Sequence, residues 1–301
     1  MDKKIAIICP YFGKLPVWFD LLLYSCSRNE SIDFYFFTDC DIPKTYGNTI
    51  FYRISFEDYC NLVSSKLTIK FQPNSPYKLC DLKPFYGIIH KDLIGEYDFW
   101  GFADMDLVYG DLSELVKKVE SGRYDLITTH ADRVAGHFTL IRNASRYTDL
   151  CYKIHRWNEL LQDDYVYGLD EHHFTLLVYP FQKQIWRMFR YFGSYLGIVY
   201  YNFFQLFNNI TNKFSRHHFQ EYYTSILPKD GEVWTYNLGD GCLKDPKGRN
   251  LPYLHFLFFK KTQHYNANRY WTDGFWRIDS KVDFAALKGE IVFTNEKVES
   301  L

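Results

Sequence analysis

Ile5-Ala6-Ile7-Ile8-Cys9 is an unbroken apolar run closed by Pro10. A strand with water on one side alternates apolar and polar residues, so a run without alternation reads as a strand covered on both faces. Turn chemistry follows in Tyr11-Phe12-Gly13-Lys14-Leu15-Pro16. Val17 to Ser27 then predicts a helix, Ile32 to Thr38 a second buried strand ending at Asp39, and Thr49 to Ile54 a third. Strand, helix, strand at this spacing predicts parallel strands and an α/β fold. Ligands of open α/β sheets sit beyond the carboxyl ends of the strands, which here carry Pro10 to Gly13 and Thr38-Asp39.

Further along, Pro76 to Leu93 predicts a helix kinked at Pro84, and Tyr97 to Ala103 a strand that delivers Asp104 and Asp106. Leu112 to Glu120 and Ala144 to Leu161 read as helices. Tyr124 to Thr129, His137 to Arg142, Val233 to Leu238 and Tyr253 to Phe259 read as strands. Lys+Arg 35 nearly balances Asp+Glu 36, so nothing marks a nucleic-acid partner. The seven cysteines are odd in number and form no CxxC pair, which fits a reduced, cytoplasmic setting better than a disulfide framework. The apolar run after Lys3-Lys4 is too short for a signal peptide.

Residues 181–212 stand out as an insertion within a domain made of 1–180 and 213–301. Ile185, Phe189, Phe192, Leu196, Val199, Phe203, Leu206 and Ile210 recur at helical spacing, with Lys183, Arg187, Arg190 and an Asn/Gln stripe largely opposite. No charge occurs from Tyr191 to Asn212. The segment reads as a helix packed on the core, a helix lying in a membrane interface, or a span. The polar stripe opposes a span, and Trp186 and the tyrosines beside basic residues favour the interface over a dry core.

Phe99-Trp100-Gly101-Phe102-Ala103-Asp104-Met105-Asp106 carries the strongest chemistry. Carboxylates at i and i+2 on an extended segment point to one side. Two like charges brought together call for a cation, and a hard divalent ion there has positions left for diphosphate oxygens. A hard divalent ion at Asp104 and Asp106 is the expectation. Asp170-Glu171-His172-His173 follows Gly168 and opens a predicted helix. Acidic residues there complement the helix dipole or take a proton from a hydroxyl. Gly136 precedes a strand and allows close backbone approach.

The runs Ile5 to Pro16, Pro76 to Gly87, Tyr97 to Gly110 and Gly136 to Asn143 resemble a family of bacterial glycosyltransferase-like proteins of capsule and lipopolysaccharide biosynthesis, long labelled as of unknown function. The resemblance implies a GT-A-like mixed sheet flanked by helices, a UDP-sugar donor and Mn²⁺ or Mg²⁺ at the DxD. It implies that Tyr11, Phe12 and Gly13 receive the base, and that Asp39 meets base or ribose. Lys78, Asp81 and Lys83 would lie on the donor. His255 would complete the metal site, and Lys260 or Lys261 would meet the diphosphate. Asp170 or Glu171 would face the acceptor hydroxyl, and Gly136 and His137 the sugars. The setting implies a polyprenyl-linked oligosaccharide acceptor and a place at the inner face of the plasma membrane. A silent nucleotide-sugar-binding subunit and a sugar-phosphate transferase are the alternatives.

Overall fold

The computed structural model describes residues 5–42, 44–179, 206, 210, 216–225, 231–255, 274–279 and 282–301. The first strands are β1 (Ile5–Pro10), β2 (Ile32–Thr38), β3 (Thr49–Arg53) and β4 (Phe99–Ala103). Next come β5 (Leu107–Tyr109), β6 (Leu126–Thr128), β7 (Phe138–Arg142) and β8 (His217–Phe219). Seven of these form one sheet in the order β3-β2-β1-β4-β7-β6-β8. All neighbours run parallel except at β7, which is antiparallel to β4 and to β6. This is the mixed α/β sheet flanked by helices that the resemblance implies.

The unbroken apolar runs are explained by two covered faces. On β1, Ile5, Ile7 and Cys9 enter one core and Ala6 and Ile8 the other. On β2, Phe34 and Phe36 face one way, Tyr35 and Phe37 the other. Helix α1 (Phe19–Ser27) covers one face, and α2 (Phe56–Leu67) with the 3₁₀ helix Pro76–Phe85 covers the opposite one.

Two predicted long helices are broken. Pro76 to Leu93 is that 3₁₀ helix followed by α3 (Tyr86–Ile89) and α4 (Lys91–Ile94). Pro84 has no N–H to give to an α-helical ladder. Ala144 to Leu161 becomes α6 (Ser145–Thr148) and a 3₁₀ turn (Asp149–Lys153), then α7 (Trp157–Gln162), with α5 (Ser113–Glu120) lying earlier in the chain. The last break comes at extended Ile154 and at Arg156, whose φ of 57° is left-handed.

The C-terminal strands build a sheet of their own: β9 (Trp234–Asn237), β10 (Leu243–Lys244), β11 (Asn250–Leu251), β13 (Glu290–Phe293) and β14 (Val298–Ser300) in the order β11-β10-β9-β13-β14. This antiparallel sheet packs on Trp18, Leu21 and Tyr24, so the α1 segment lies between the two sheets. Strand β12 (Tyr253–His255) leaves it to pair with β5. Among the described residues no helix is long and apolar enough to cross a membrane. The insertion at 181–212 lies outside the described residues, apart from exposed Leu206 and Ile210.

Candidate active site

Asp104-Met105-Asp106 carries the chain from buried β4 into β5. Its backbone is pinned on both sides: Asp104 N–H donates to His137 O at 3.2 Å, and Trp18 Nε1–H donates to Met105 O at 2.8 Å. The antiparallel β5–β12 pair sets His255 opposite Leu107, the residue after Asp106. His255 Nε2 thereby stands 3.3 Å from Asp106 Oδ2, with His255 Nδ1 2.7 Å from Ser225 Oγ. One ligand atom from each of Asp104, Asp106 and His255 lies within 4.8 Å of the others. Ligands on opposite sides of one ion are about 4–5 Å apart at ordinary metal–oxygen bond lengths, so the trio fits a single divalent cation. Two carboxylates and an imidazole make a mixed oxygen and nitrogen donor set for such an ion.

Lys83 is the second element of the cluster. Its Nζ lies 2.6 Å from Asp104 Oδ1 and 3.5 Å from Asp170 Oδ2. The π-helical turn Leu169–Phe174, continued by α8 (Thr175–Val178), presents Asp170 and Glu171. Burial pushes the Asp170 carboxyl up to about 6, against the pull of Lys83 and with the repulsion of Glu171 added. For Glu171, burial also disfavours the charge, but Arg133 and His130 outweigh it and hold that carboxyl below its ordinary range. The pair is therefore split into a carboxyl that takes a proton readily and one that stays ionised.

Gly136 N–H donates to Glu171 Oε1 at 3.2 Å. A β-carbon on Gly136 would stand 2.6 Å from Asp170 Oδ2 and 3.0 Å from Glu171 Oε1. The close approach expected at this glycine is thus to the protein's own carboxylates. His137, expected beside the sugars, is a buried wall residue at 3% exposure. Its ring stacks on His255 at 4.2 Å and meets His130 edge-on at 4.9 Å. Burial, helped by His255 and His130, pulls its pKa well down, so the ring is neutral.

Three nearby groups escape the sequence reading. His130 Nδ1 lies 3.1 Å from Glu221 Oε2, and both residues are largely buried. Arg133 Nε is 3.6 Å from Glu171 Oε2. His130 and Arg133 follow β6, whose carboxyl end is a place where ligands of such sheets collect. A polar segment, Thr129-His130-Ala131-Asp132-Arg133, after a buried strand was the available signal.

The donor-side expectations divide. Ile8 pairs with Phe102, so the loop after β1 runs beside the end of β4. Gly13 adopts φ +111°, and its N–H donates to Asp39 Oδ1 at 3.0 Å, tying the ends of β1 and β2 together. Tyr11 is half-buried, its hydroxyl donating to Lys14 O. Phe12 turns inward instead of toward a base, with Phe56 and Tyr59 each 5.3 Å from its ring. Lys78 and Asp81 are likewise interior. Lys78 Nζ lies 2.9 Å from Asp81 Oδ2 and also donates to Leu160 O and Tyr165 O, which uses its three N–H bonds and leaves none for a phosphate. Asp81 in turn accepts Tyr167 N–H and Leu169 N–H, each at 3.0 Å. The pair fastens the segment before Asp170 to the 3₁₀ helix. Lys260 and Lys261 lie outside the described residues.

Residues 7–282 match the profile of a family described as a family of unknown function, DUF6625. The chain belongs to this family. The DUF6625 match takes in Asp104, Asp106, His255, Lys83, Asp170 and Glu171. A comparison with curated proteins finds no match. Solved structures give partial likenesses. The glycosyltransferase GlyE of Streptococcus pneumoniae TIGR4 is 14% identical with a TM-score of 0.32, over 60% of this chain and 44% of that one. Mouse xyloside xylosyltransferase 1 is 10% identical with a TM-score of 0.38, over 59% of this chain and 83% of that one. The galactosyltransferase LgtC is 16% identical with a TM-score of 0.30, over 56% of this chain and 71% of that one. This DUF6625 chain spans less than half the length of GlyE.

Proposed function

We propose that this protein is a metal-dependent glycosyltransferase. It moves a hexosyl unit, of galactose type, from a UDP-sugar to a lipid-linked oligosaccharide in bacterial surface polysaccharide synthesis. The observation that carries the reading is the convergence of Asp104, Asp106 and His255 at the carboxyl end of β4. Asp104, Asp106 and His255 would hold Mn²⁺ or Mg²⁺, and the ion when bound offsets charge on the departing nucleoside diphosphate. Ser225 fixes the His255 ring through Nδ1, so that Nε2 faces Asp106. Tyr11, Gly13 and Asp39 belong to the nucleotide side, and Lys260 or Lys261 to the diphosphate. Asp170 and Glu171 belong to the sugars. Glu171, with its charge held by Arg133, accepts hydrogen bonds from sugar hydroxyls, and His130, oriented by Glu221, lines the acceptor side.

Residues 1–180 and 213–301 form the transferase domain in this reading. The aromatic insertion at 181–212 rests on the cytoplasmic face of the membrane, where a polyprenyl-linked acceptor lies.

Isothermal titration with UDP, with and without Mn²⁺, tests the donor site on wild type and Asp106→Asn. Wild type is expected to bind UDP with Mn²⁺ and at least about tenfold more weakly without it, a difference that Asp106→Asn removes. Equal UDP affinity in all four conditions would sink the metal-held diphosphate.

A further inference from the structure

We infer that Lys83 makes metal binding and nucleotide binding at this site depend on each other, its ammonium serving as the internal cation of Asp104 until a metal–diphosphate pair arrives. The inference rests on the reading above and assigns Lys83 a role different from contact with the donor.

The ammonium of Lys83 lies 2.6 Å from Asp104 Oδ1 and 3.5 Å from Asp170 Oδ2. Lys83 is only 6% exposed, so its charge is not free to swing into solvent. The 3₁₀ helix that carries it is buried from Leu82 to Phe85 and is anchored by the interior Lys78–Asp81 pair. A lysine so held keeps its charge beside Asp104 whatever occupies the site. Asp104 and Asp106 together bring two negative charges, Lys83 returns one positive charge, and Asp170, 3.5 Å from that ammonium, adds a negative charge when ionised. A divalent ion bound through Asp104 stands a few ångströms from the Lys83 ammonium, a like charge that Asp170 offsets only in part. Like charges at that range in partly buried surroundings cost enough to weaken binding by about tenfold or more. A diphosphate arriving with the ion brings negative charge against both cations and offsets that penalty. Reciprocity then requires that the factor by which UDP tightens Mn²⁺ equal the factor by which Mn²⁺ tightens UDP.

The decisive measurement is titration of Mn²⁺ alone, read by the electron paramagnetic resonance of the free ion, and again with saturating UDP. Wild type is expected to bind Mn²⁺ alone weakly and to tighten by about a hundredfold with UDP. In Lys83→Met, Mn²⁺ alone should bind about tenfold tighter and the tightening by UDP should shrink by a similar ratio. Lys83→Arg keeps the charge, so in both titrations it should lie closer to wild type than Lys83→Met does. Circular dichroism melting confirms that each variant is folded. A folded Lys83→Met that binds Mn²⁺ alone no tighter than wild type, with the UDP effect intact, overturns the inference and leaves the donor site standing. Should Lys83→Met not fold, wild type decides: Mn²⁺ binding that is tight alone and indifferent to UDP overturns it equally. Wild type that binds neither Mn²⁺ nor UDP removes the glycosyltransferase reading and the inference with it.

Discussion

At Gly136 there is no room for a side chain, because a β-carbon would stand 2.6 Å from a carboxylate oxygen of Asp170. Gly136→Ala must displace the Asp170–Glu171 pair or the backbone before β7. Overpacking of this kind costs about 1–3 kcal/mol. We expect urea unfolding to show that loss, with turnover on a UDP-sugar falling by about tenfold or more, since small misplacements of reacting groups are costly. Wild-type turnover in Gly136→Ala would separate the acidic pair from the chemistry. The glycine and both acids are legible in the sequence as residues of interest. Their contact with one another is not, because it joins a loop to a helix start 34 positions downstream.

Lys78 and Asp81 show at the level of an element how a motif can mislead. The family resemblance sets both on the donor, as polar residues of a shared motif. The 3₁₀ geometry of Pro76–Phe85 turns them inward instead, where they hold the segment that leads to Asp170. Lys78→Met would strand the Asp81 charge in the interior, and losing one partner of such a pair costs roughly 3–5 kcal/mol. The expected outcome is a large drop in the urea midpoint with UDP affinity retained in whatever fraction stays folded. Loss of UDP affinity at unchanged stability would restore the phosphate contact. Helix α2 carries its own signal in the sequence: Ser55 caps Asp58 N–H at 3.0 Å, and Tyr59, Cys60, Val63 and Leu67 form its buried stripe. The S-x-x-D pattern ahead of that periodicity is a helix start.

The molecule as a whole keeps several histidines neutral in its interior. Burial, with a lesser contribution from Lys66, pushes His90 down to about 3, and burial pushes His218 down to about 4. An unfolded histidine titrates near 6.5. Below that pH the unfolded chain takes up protons that the native state refuses, so the stability present above about pH 6.5 is lost as the pH falls toward the native values. Asp170, raised to about 6, works in the opposite sense over part of this window. Each such histidine adds about 1.4 kcal/mol per pH unit to the acid slope. Urea midpoints between about pH 7 and about pH 4.5 should therefore fall more steeply in wild type than in His90→Gln. Equal slopes would show that His90 does not carry its share.

The sequence by itself determined what depends on neighbours along the chain. Two-sided burial of β1, β2 and β4 follows from the apolar runs Ile5–Cys9, Phe34–Phe37 and Phe99–Ala103, and a DxD at the end of such a strand follows from period and position. Tertiary structure decided what depends on pairing between distant segments. The β5–β12 register carries His255 to Asp106, and helix packing carries Lys83 between Asp104 and Asp170. The sheet reversal at β7 brings His137 beneath His255, and interior packing takes Phe12, Lys78 and Asp81 out of the site. Periodicity reports which face of an element is buried, whereas the partner on that face is chosen by register and packing across the whole chain.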